Sequence, residues 1–402
     1  VDGDTATVFR RQQLRMREAE AVTDFTVGGV RFTATYMAVR HMPHCVMVAL
    51  EMTADRDATV TVVNRPEIPA SLADCSVSPV TIWCEEDGLR LLRCTATYNH
   101  GRGTLAASAH LQGETGNWLT VSADTLRVRL RAGETAMMWG VASQCSTADF
   151  ADPYNEADRQ AIYASKSGWN EMLSRHREAW RDLYRSRVEV LGDSAMARLV
   201  NSALYNLYSS VRAGSRRSIA PMGLTSDKYY GHVFWDADTW ILPVLLRLHP
   251  ELARSMLDYR YDALPAARRR AAAYGYRGAM FPWESDHNGE ESTPTFALTG
   301  PMEHHITADV GRGVWLYFKA TGDTAWLRSE GYELLRDCAD FWVSRAEATS
   351  GGRFTVRNVV GADEYAIGVD GNAFTNAAAK RVLDYAADAA EVLGVKPDAR
   401  WR

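Results

Sequence analysis

Apolar and polar residues alternate in short runs between residues 23 and 145. A period of two places every second side chain on the same face, which is typical of strands with one buried face. Turn residues such as Gly28, Gly29 and Gly133 separate the runs. Many short strands at this spacing predict an antiparallel β-sandwich over residues 1–150. Its concave face could bind a ligand, but we expect it mainly to support a neighbouring domain.

The spacing of apolar residues changes to three and four after residue 151. This period belongs to amphipathic helices and predicts a helical linker over residues 151–190. Residues 191–402 are predicted to form a helical domain. The predicted helices lie near residues 194–213, 236–248, 250–273, 302–320, 323–347 and 373–394. A helical barrel and a six-helix bundle both satisfy this pattern.

Composition and charge argue against nucleic acid and membrane as binding partners. The 402 residues are 46% hydrophobic with a formal net charge of −5, so we expect a globular protein that does not bind nucleic acid. No apolar run reaches the roughly 18 residues that cross a bilayer, so we expect no membrane insertion. The twelve Trp and seventeen Tyr fill cores or line sugar-binding clefts. The sequence leaves the compartment open, with a periplasmic or secreted location favoured over a cytoplasmic one.

The cysteines do not indicate a metal site. They form no C-x-x-C pair, and no His stands at metal-ligand spacing. Five of the six lie in the first 150 residues, where one or two disulfides could form. The six are Cys45, Cys75, Cys84, Cys94, Cys145 and Cys338.

A loop between Asn358 and Asn376 carries an acidic pair beside an aromatic residue. Asp363, Glu364 and Tyr365 follow two β-branched residues and precede an alanine-rich helix. A carboxylate pair on a loop between a buried segment and a helix start is a common way to present an acid to a pocket. The same residues also fit a solvated acidic loop before an Asn-capped helix.

Two other loops each place a tryptophan directly before an acid. The pairs are Trp235 with Asp236 and Trp283 with Glu284, 48 positions apart. A sugar ring stacks its C–H face on an aromatic ring while its hydroxyls donate to a carboxylate, so both pairs fit a sugar site. The alternative is a helix N-terminus with an acid near its positive end and the tryptophans in the core.

Glu303, His304 and His305 stand together at the start of a predicted helix. Adjacent helical positions point about 100° apart, so we do not expect the two histidines to share one metal ion. We predict a role at the helix start or in hydrogen bonding to a ligand.

The two loops with Trp-acid pairs, together with the loop that carries Asp363 and Glu364 (the acidic loop), indicate a site that cleaves glycosidic bonds. This chemistry needs a protonated carboxylic acid that donates its proton to the leaving oxygen. Glu364 can do so if burial and the charge of Asp363 raise its pKa.

Three segments resemble glycoside hydrolase family 65. They are GHVFWDADTW at 231–240, GYRGAMFPWES at 275–285 and VVGADEYAIGVDGNAFTN at 359–376. They stand in the family's order, and the resemblance spans most of residues 215–394. The family contains disaccharide phosphorylases, acid trehalases, kojibiose hydrolases and a glucosidase that acts on collagen glucosylgalactosyl-hydroxylysine.

The resemblance implies an inverting enzyme acting on α-glucosides, built from an N-terminal antiparallel β-sandwich, a helical linker and an (α/α)₆ barrel. The family's general acid falls on Glu364. The sugar-binding positions that the resemblance implies, with the neighbours of the acid, are Trp235, Asp236, Trp283, Glu284, Asp363 and Tyr365. The implied partner is a small α-glucoside disaccharide, with no metal and no other cofactor, and a homodimer is compatible with this pattern.

The sequence differs from the family pattern in two ways, and we expect a structural consequence from each. Gly371 stands where the family commonly has Asn, which we expect to loosen the loop around Asp370. Residues 191–402 hold only about the first half of the barrel's helices, so we expect the general base to lie beyond Arg402 and the helical part to expose apolar surface.

Only smaller sequence similarities distinguish the hydrolases of this family from its phosphorylases. Trp240 in the pattern F-W-D-x-x-x-W and the G-A-D-E-Y start are similar to the hydrolase branch. We therefore predict an α-glucosidase of the kojibiose or trehalose type. An inverting disaccharide phosphorylase and a non-catalytic carbohydrate-binding protein are the alternatives.

Overall fold

The structure is a computed structural model that describes residue 1 and residues 6–82, 88–98 and 101–401. The described residues form two compact units, Val1–Arg185 and Ser186–Arg402. Cys84, which we considered for a disulfide, lies outside the described residues. The other cysteines are free thiols, so the described part of the chain holds no disulfide between them.

Eleven described strands build two antiparallel sheets in the first unit. They are β1 (Thr7–Arg15), β2 (Glu20–Val27), β3 (Val30–Ala38), β4 (Cys45–Ala54), β5 (Ala58–Val63), β6 (Ala73–Ile82), β7 (Leu89–Tyr98), β8 (Gly103–Thr115), β9 (Trp118–Ser122), β10 (Thr125–Leu130) and β11 (Thr135–Ser146). The larger sheet has the order β1-β2-β3-β4-β11-β8-β7-β6, and the smaller has β5-β10-β9. The predicted N-terminal antiparallel sandwich is confirmed.

The core of the sandwich follows from the alternation in its strands. Phe32, Met52 and Met138 of the larger sheet are buried together with Val60 and Leu126 of the smaller one. Phe32, Met52, Val60 and Leu126 each have an exposed or half-exposed neighbour on either side in their own strand, because successive side chains point to opposite faces.

A long helix, α1 (Pro153–Leu183), packs against the larger sheet within the first unit. Asp152 caps it by accepting from the Asn155 amide at 3.1 Å. Gly168, at φ +76°, interrupts the helical geometry before Trp169, which is buried with Trp139 of the sheet. The segment predicted as a linker is therefore a helix that covers one side of this sheet.

The second unit is built mainly from helices. They are α2 (Ser194–Ser210), α3 (Leu242–Leu248), α4 (Pro250–Asp262), α5 (Leu264–Ala273), α6 (Thr299–Met302), α7 (Ile306–Thr321), α8 (Thr324–Trp326), α9 (Tyr332–Arg345) and α10 (Ala373–Leu393). Two short strands, β12 (Glu347–Ala348) and β13 (Phe354–Thr355), pair as a hairpin. All six predicted helical regions contain helix, although 250–273 is divided between α4 and α5.

Helices α7, α9 and α10 pack on one another, and α3 and α4 pack on α7. The α7–α10 contact is close, since a Cβ added to Gly311 would stand 3.0 Å from Val382. Several large apolar side chains of this unit are exposed, including Leu191, Leu199 and Trp240. The long connections between the helices carry all three of the sequence segments predicted to form the site.

Candidate active site

A buried arginine joins the two tryptophan loops. Arg260 on α4 is fully buried, and its Nη2 donates to Asp238 Oδ2 at 2.6 Å and to the Phe234 carbonyl at 3.2 Å. Its Nη1 donates to Ser285 Oγ at 3.4 Å. Val233 and Ser285 also exchange backbone hydrogen bonds, at 2.9 and 3.0 Å. The residues flanking Trp235 and Glu284 are thus held against the same guanidinium and against each other.

Trp235 lies in an aromatic cluster next to a histidine. Its ring meets the His305 ring edge to face with centroids 4.9 Å apart, and Phe374 at the start of α10 contacts both. Asp236 is half-buried, and burial raises the pKa of its carboxyl. Both side chains are partly buried, so packing within the domain and sugar binding both stay open for Trp235.

Trp283 holds the predicted acid directly. Its Nε1 donates to Glu364 Oε1 at 3.2 Å, and its ring packs edge to face on Phe234 with centroids 4.9 Å apart. The next residue, Glu284, is only 4% exposed, and His232 Nδ1 lies 2.7 Å from its Oε1. The structure therefore brings the second Trp-acid pair to the acidic loop, and a histidine orients the carboxylate of Glu284.

The acidic loop is closed at its base. Asp370 accepts from the Asn358 amide at 2.9 Å, and Val359 and Val369 exchange backbone hydrogen bonds. The Gly371 amide donates to the Val356 carbonyl at 2.9 Å. The loosening that we expected from Gly371 is not observed, because its φ of +66° suits glycine and its amide is bonded.

The tip of this loop presents its side chains to solvent. Glu364 and Asp363 are exposed, and Tyr365 is 98% exposed. Asp363 Oδ1 accepts from the Tyr365 amide at 3.2 Å, so this carboxylate shapes the turn. The burial that we considered for Glu364 is not found, since its side chain is exposed. The physical reason is that these acids occupy a loop tip, where the Glu364 carboxylate accepts from Trp283 Nε1 at 3.2 Å.

A buried cluster that we did not predict lies behind the acidic loop. His305 stands between Asp309, whose Oδ2 is 2.7 Å from Nδ1, and Glu303, whose Oε1 is 2.8 Å from Nε2. Burial raises the pKa of Glu303 to about 7. Burial alone would lower the pKa of His305, but hydrogen bonds and the charges of the two carboxylates raise it to about 9. The Glu-x-His-x₃-Asp spacing was a visible signal.

His304 has different partners from its neighbour. It accepts from Arg345 Nε at Nδ1, at 3.1 Å, and its Nε2 lies 2.9 Å from the Pro301 carbonyl. Burial lowers its pKa to about 4, so it is neutral at pH 7. The two histidines diverge, as their helical spacing predicts. Among the described residues, no three His, Cys, Asp or Glu side chains are grouped so that they could hold a metal ion.

Comparison with protein families covers both units. Residues 3–183 match the model of the glycosyl hydrolase family 65 N-terminal domain, and residues 201–399 match that of the family's central catalytic domain. The chain belongs to glycosyl hydrolase family 65. In the described part of this family 65 chain, no helix has the length and apolarity needed to cross a membrane.

Two curated relatives match nearly the whole chain. A kojibiose hydrolase of Flavobacterium johnsoniae is 40% identical over 97% of the chain, and one of Mucilaginibacter mallensis is 39% identical over 98%. The family 65 chain spans 59% and 60% of their lengths. The solved structure "Putative kojibiose phosphorylase from human microbiome" superposes with a TM-score of 0.82 at 18% identity, covering 98% of this chain and 54% of its own. This likeness shows a shared fold.

Proposed function

We propose that this chain carries the general acid of an inverting α-glucosidase that hydrolyses α-linked glucose disaccharides, with Glu364 as the acid. The observation that carries the proposal is the hydrogen bond from Trp283 Nε1 to Glu364 Oε1 at 3.2 Å, because it joins the acid to a predicted sugar-stacking residue. The two kojibiose hydrolases at 39% and 40% identity support kojibiose as the first substrate to test.

In the proposed reaction, the protonated Glu364 carboxyl donates its proton to the glycosidic oxygen as the bond from that oxygen to C1 breaks. A water attacks C1 from the opposite face and gives its proton to a second carboxylate, so glucose leaves with inverted configuration. An inverting pair stands roughly 6.5–9.5 Å apart to leave room for this water. We assign the general base to none of the described residues.

We further propose that the two Trp-acid pairs hold the non-reducing glucose. Trp235 and Trp283 offer ring faces for stacking, and the carboxylates of Asp236 and Glu284 accept from sugar hydroxyls. The edge contact of Trp235 with His305 and the 2.7 Å contact of His232 with Glu284 support this role, since both fix the orientation of a sugar-facing group. We propose that Asp363 contributes by shaping the turn and that the exposed Tyr365 contacts the sugar that leaves.

The domain division is part of the same proposal. We assign a sandwich domain to residues 1–150, a helical segment to 151–190 and a catalytic domain to 191–402, of which the described helices are the first part of an (α/α)₆ barrel. The packing of α7 against α3, α4, α9 and α10 supports a layered helical domain. A homodimer stays a prediction that sedimentation velocity of the intact protein would test.

Product analysis of the intact protein tests the activity. The substrates are a panel of α-linked glucose disaccharides including kojibiose and trehalose, each with and without inorganic phosphate. We expect glucose to be released without phosphate. Glucose 1-phosphate formed only when phosphate is present would overturn hydrolysis in favour of phosphorolysis, and sugar binding without any product would leave a carbohydrate-binding protein.

Replacement of Trp235 tests the sugar site. We expect Trp235→Ala to weaken glucose binding by up to about tenfold, since one aromatic stacking contact is worth about 0.5 to 1.5 kcal/mol. Isothermal titration of the intact protein with glucose measures the change. The matched control is Trp315→Ala, which removes a tryptophan of α7 that stacks on Tyr385 at 5.7 Å and is outside the three loops. If the Trp235→Ala variant and the parent protein bind glucose with equal affinity, Trp235 is a packing residue and does not bind the sugar.

A further inference from the structure

We propose that Tyr230 is a substrate-binding residue whose ring stacks on the sugar that leaves, and that the strained turn around it holds the ring in that place. The inference deepens the proposed function and rests on it, because it names a contact for the second sugar of the same α-linked disaccharide. Three observations support it: the backbone conformation of the turn, the exposure of the Tyr230 ring, and the position of that ring beside His232.

The chain makes a left-handed turn at the start of the loop that carries Trp235. Tyr229, Tyr230 and Gly231 follow one another at φ +60°, +54° and +76°. This conformation brings Cβ close to the following carbonyl oxygen, so bulky residues rarely adopt it. In the part of the chain that the structure describes, no other two neighbouring non-glycine residues both have positive φ. Such strain destabilises a fold and is concentrated at functional sites.

The hydrogen bonds of this turn do not require tyrosine at position 230. The Tyr230 amide donates to the Asp227 carbonyl at 3.1 Å. The His232 amide donates to the Tyr229 carbonyl at 2.8 Å. Glycine or asparagine would make the same backbone bonds with less strain, because both tolerate positive φ. The geometry of the turn therefore does not explain a bulky aromatic side chain at this position.

The two tyrosines differ in what their rings contact. The Tyr229 ring packs edge to face on Phe234 with centroids 5.3 Å apart, and Phe234 packs in turn on Trp283. Tyr230 is 88% exposed, and its ring lies beside that of His232 with centroids 6.0 Å apart. The ring of Tyr229 therefore contributes to packing, whereas the strained backbone of Tyr230 presents its ring to solvent.

Exposure increases in steps from the proposed glucose site to the Tyr230 ring. Glu284, which we propose to accept from a hydroxyl of the non-reducing glucose, is buried, and His232 Nδ1 lies 2.7 Å from its Oε1. His232 is half-buried, and Tyr230 beside it is exposed. Because the non-reducing glucose contacts the buried carboxylate in this proposal, the exposed ring beyond His232 is placed for the sugar attached to that glucose.

A tyrosine ring suits this contact on chemical grounds. Its flat face stacks on the C–H face of a sugar ring, and its hydroxyl donates to or accepts from a sugar hydroxyl or water. The contact is additional to the one proposed for Tyr365 of the acidic loop.

The experiment compares two substrates of the intact protein that share the glucose and differ in the leaving group. One is the disaccharide that the parent hydrolyses, and the other is α-D-glucosyl fluoride, which has no leaving sugar. Tyr230→Asn removes the ring and tolerates the left-handed backbone. We expect it to lower the ratio of kcat/KM on the disaccharide to kcat/KM on the fluoride by up to about tenfold, the range of one aromatic stacking contact. Tyr230→Phe keeps the ring and should keep the parent ratio.

An unchanged ratio for Tyr230→Asn would overturn the inference, because damage to the fold or to the glucose site lowers both values of kcat/KM together. An equal fall of the ratio for Tyr230→Phe would overturn the stacking contact. Cleavage of neither substrate by the parent protein would instead remove the proposed function, and this inference with it, so the two failures are distinguishable.

Thermal unfolding tests the strain separately. Tyr230→Asn should raise the unfolding midpoint, because it relieves the strained conformation and removes a ring that is mostly in solvent. Ala19→Asn is the matched control, since Ala19 also has positive φ, at +51°, in the turn between β1 and β2. We expect this control to raise the midpoint and to keep the parent ratio of kcat/KM values. A lower midpoint for Tyr230→Asn together with the parent ratio would make Tyr230 a packing residue.

Discussion

Glu364→Gln should abolish turnover of the disaccharide substrate while sugar binding survives. A general acid contributes about 10² to 10⁴ in rate, and glutamine keeps the side-chain volume but has no proton to donate to the leaving oxygen. Because Glu364 is exposed and its one described side-chain partner is Trp283 at 3.2 Å, we expect the fold to tolerate the change. Initial rates on kojibiose and titration with glucose measure the two quantities.

Glu251→Gln is the matched control for this prediction. Glu251 is an exposed glutamate in the first turn of α4, paired with His249 and outside the three loops. The control should hydrolyse kojibiose at the parent rate. Glu364→Gln turning over within a few-fold of that rate would remove Glu364 from the role of acid and would require another proton donor.

Arg260→Ala should cost about 3 to 5 kcal/mol in the free energy of unfolding, because it leaves the buried Asp238 carboxylate without its counter-charge. The variant also frees the Phe234 carbonyl and Ser285 Oγ, which accept from the same guanidinium. We therefore expect both tryptophan loops to lose order together. Urea unfolding followed by far-ultraviolet circular dichroism measures the loss.

Two further variants test whether the loss of stability comes from the buried Arg260–Asp238 ion pair or from replacing any arginine of this domain. Arg268→Ala breaks a more exposed network with Glu333 and Asp337, and we expect a loss of about 1 kcal/mol. Arg260→Met combined with Asp238→Leu removes both buried charges and should recover part of the loss seen for Arg260→Ala. An Arg260→Ala protein as stable as Arg268→Ala would mean that the buried pair contributes no more than an exposed one.

Periodicity predicted the element types well because both units bury one face of most strands and helices. The division between α4 and α5 was not predicted, although Pro265 near the start of α5 was a signal. The apolar spacing continues across the break, since the buried residues Ala263, Leu264 and Ala267 keep a helical period. A prolyl ring in the first turn is compatible with a new helix, so the pattern alone did not locate the boundary.

The three loops were predicted from residue types, and the structure joins them through Arg260 and through the Trp283 contact with Glu364. The exposure of Glu364 was not predicted, because burial at a loop tip depends on which distant segments cover it. The cluster of Glu303, His305 and Asp309 was missed for a similar reason. Its place behind the acidic loop depends on complete burial and on the backbone bridge between Glu303 and Val360, neither of which is encoded in local sequence.

The closed base of the acidic loop has a consequence for laboratory evolution. Asp370 and the paired Val359 and Val369 fix where the loop leaves and re-enters the domain, independently of the residues between them. The stretch from Ala366 to Gly368 can then be lengthened or exchanged as a cassette without moving either anchor. Under the proposed function, libraries confined to that stretch and to Tyr365 should alter the preference for the departing sugar while the proposed acid, Glu364, keeps its position.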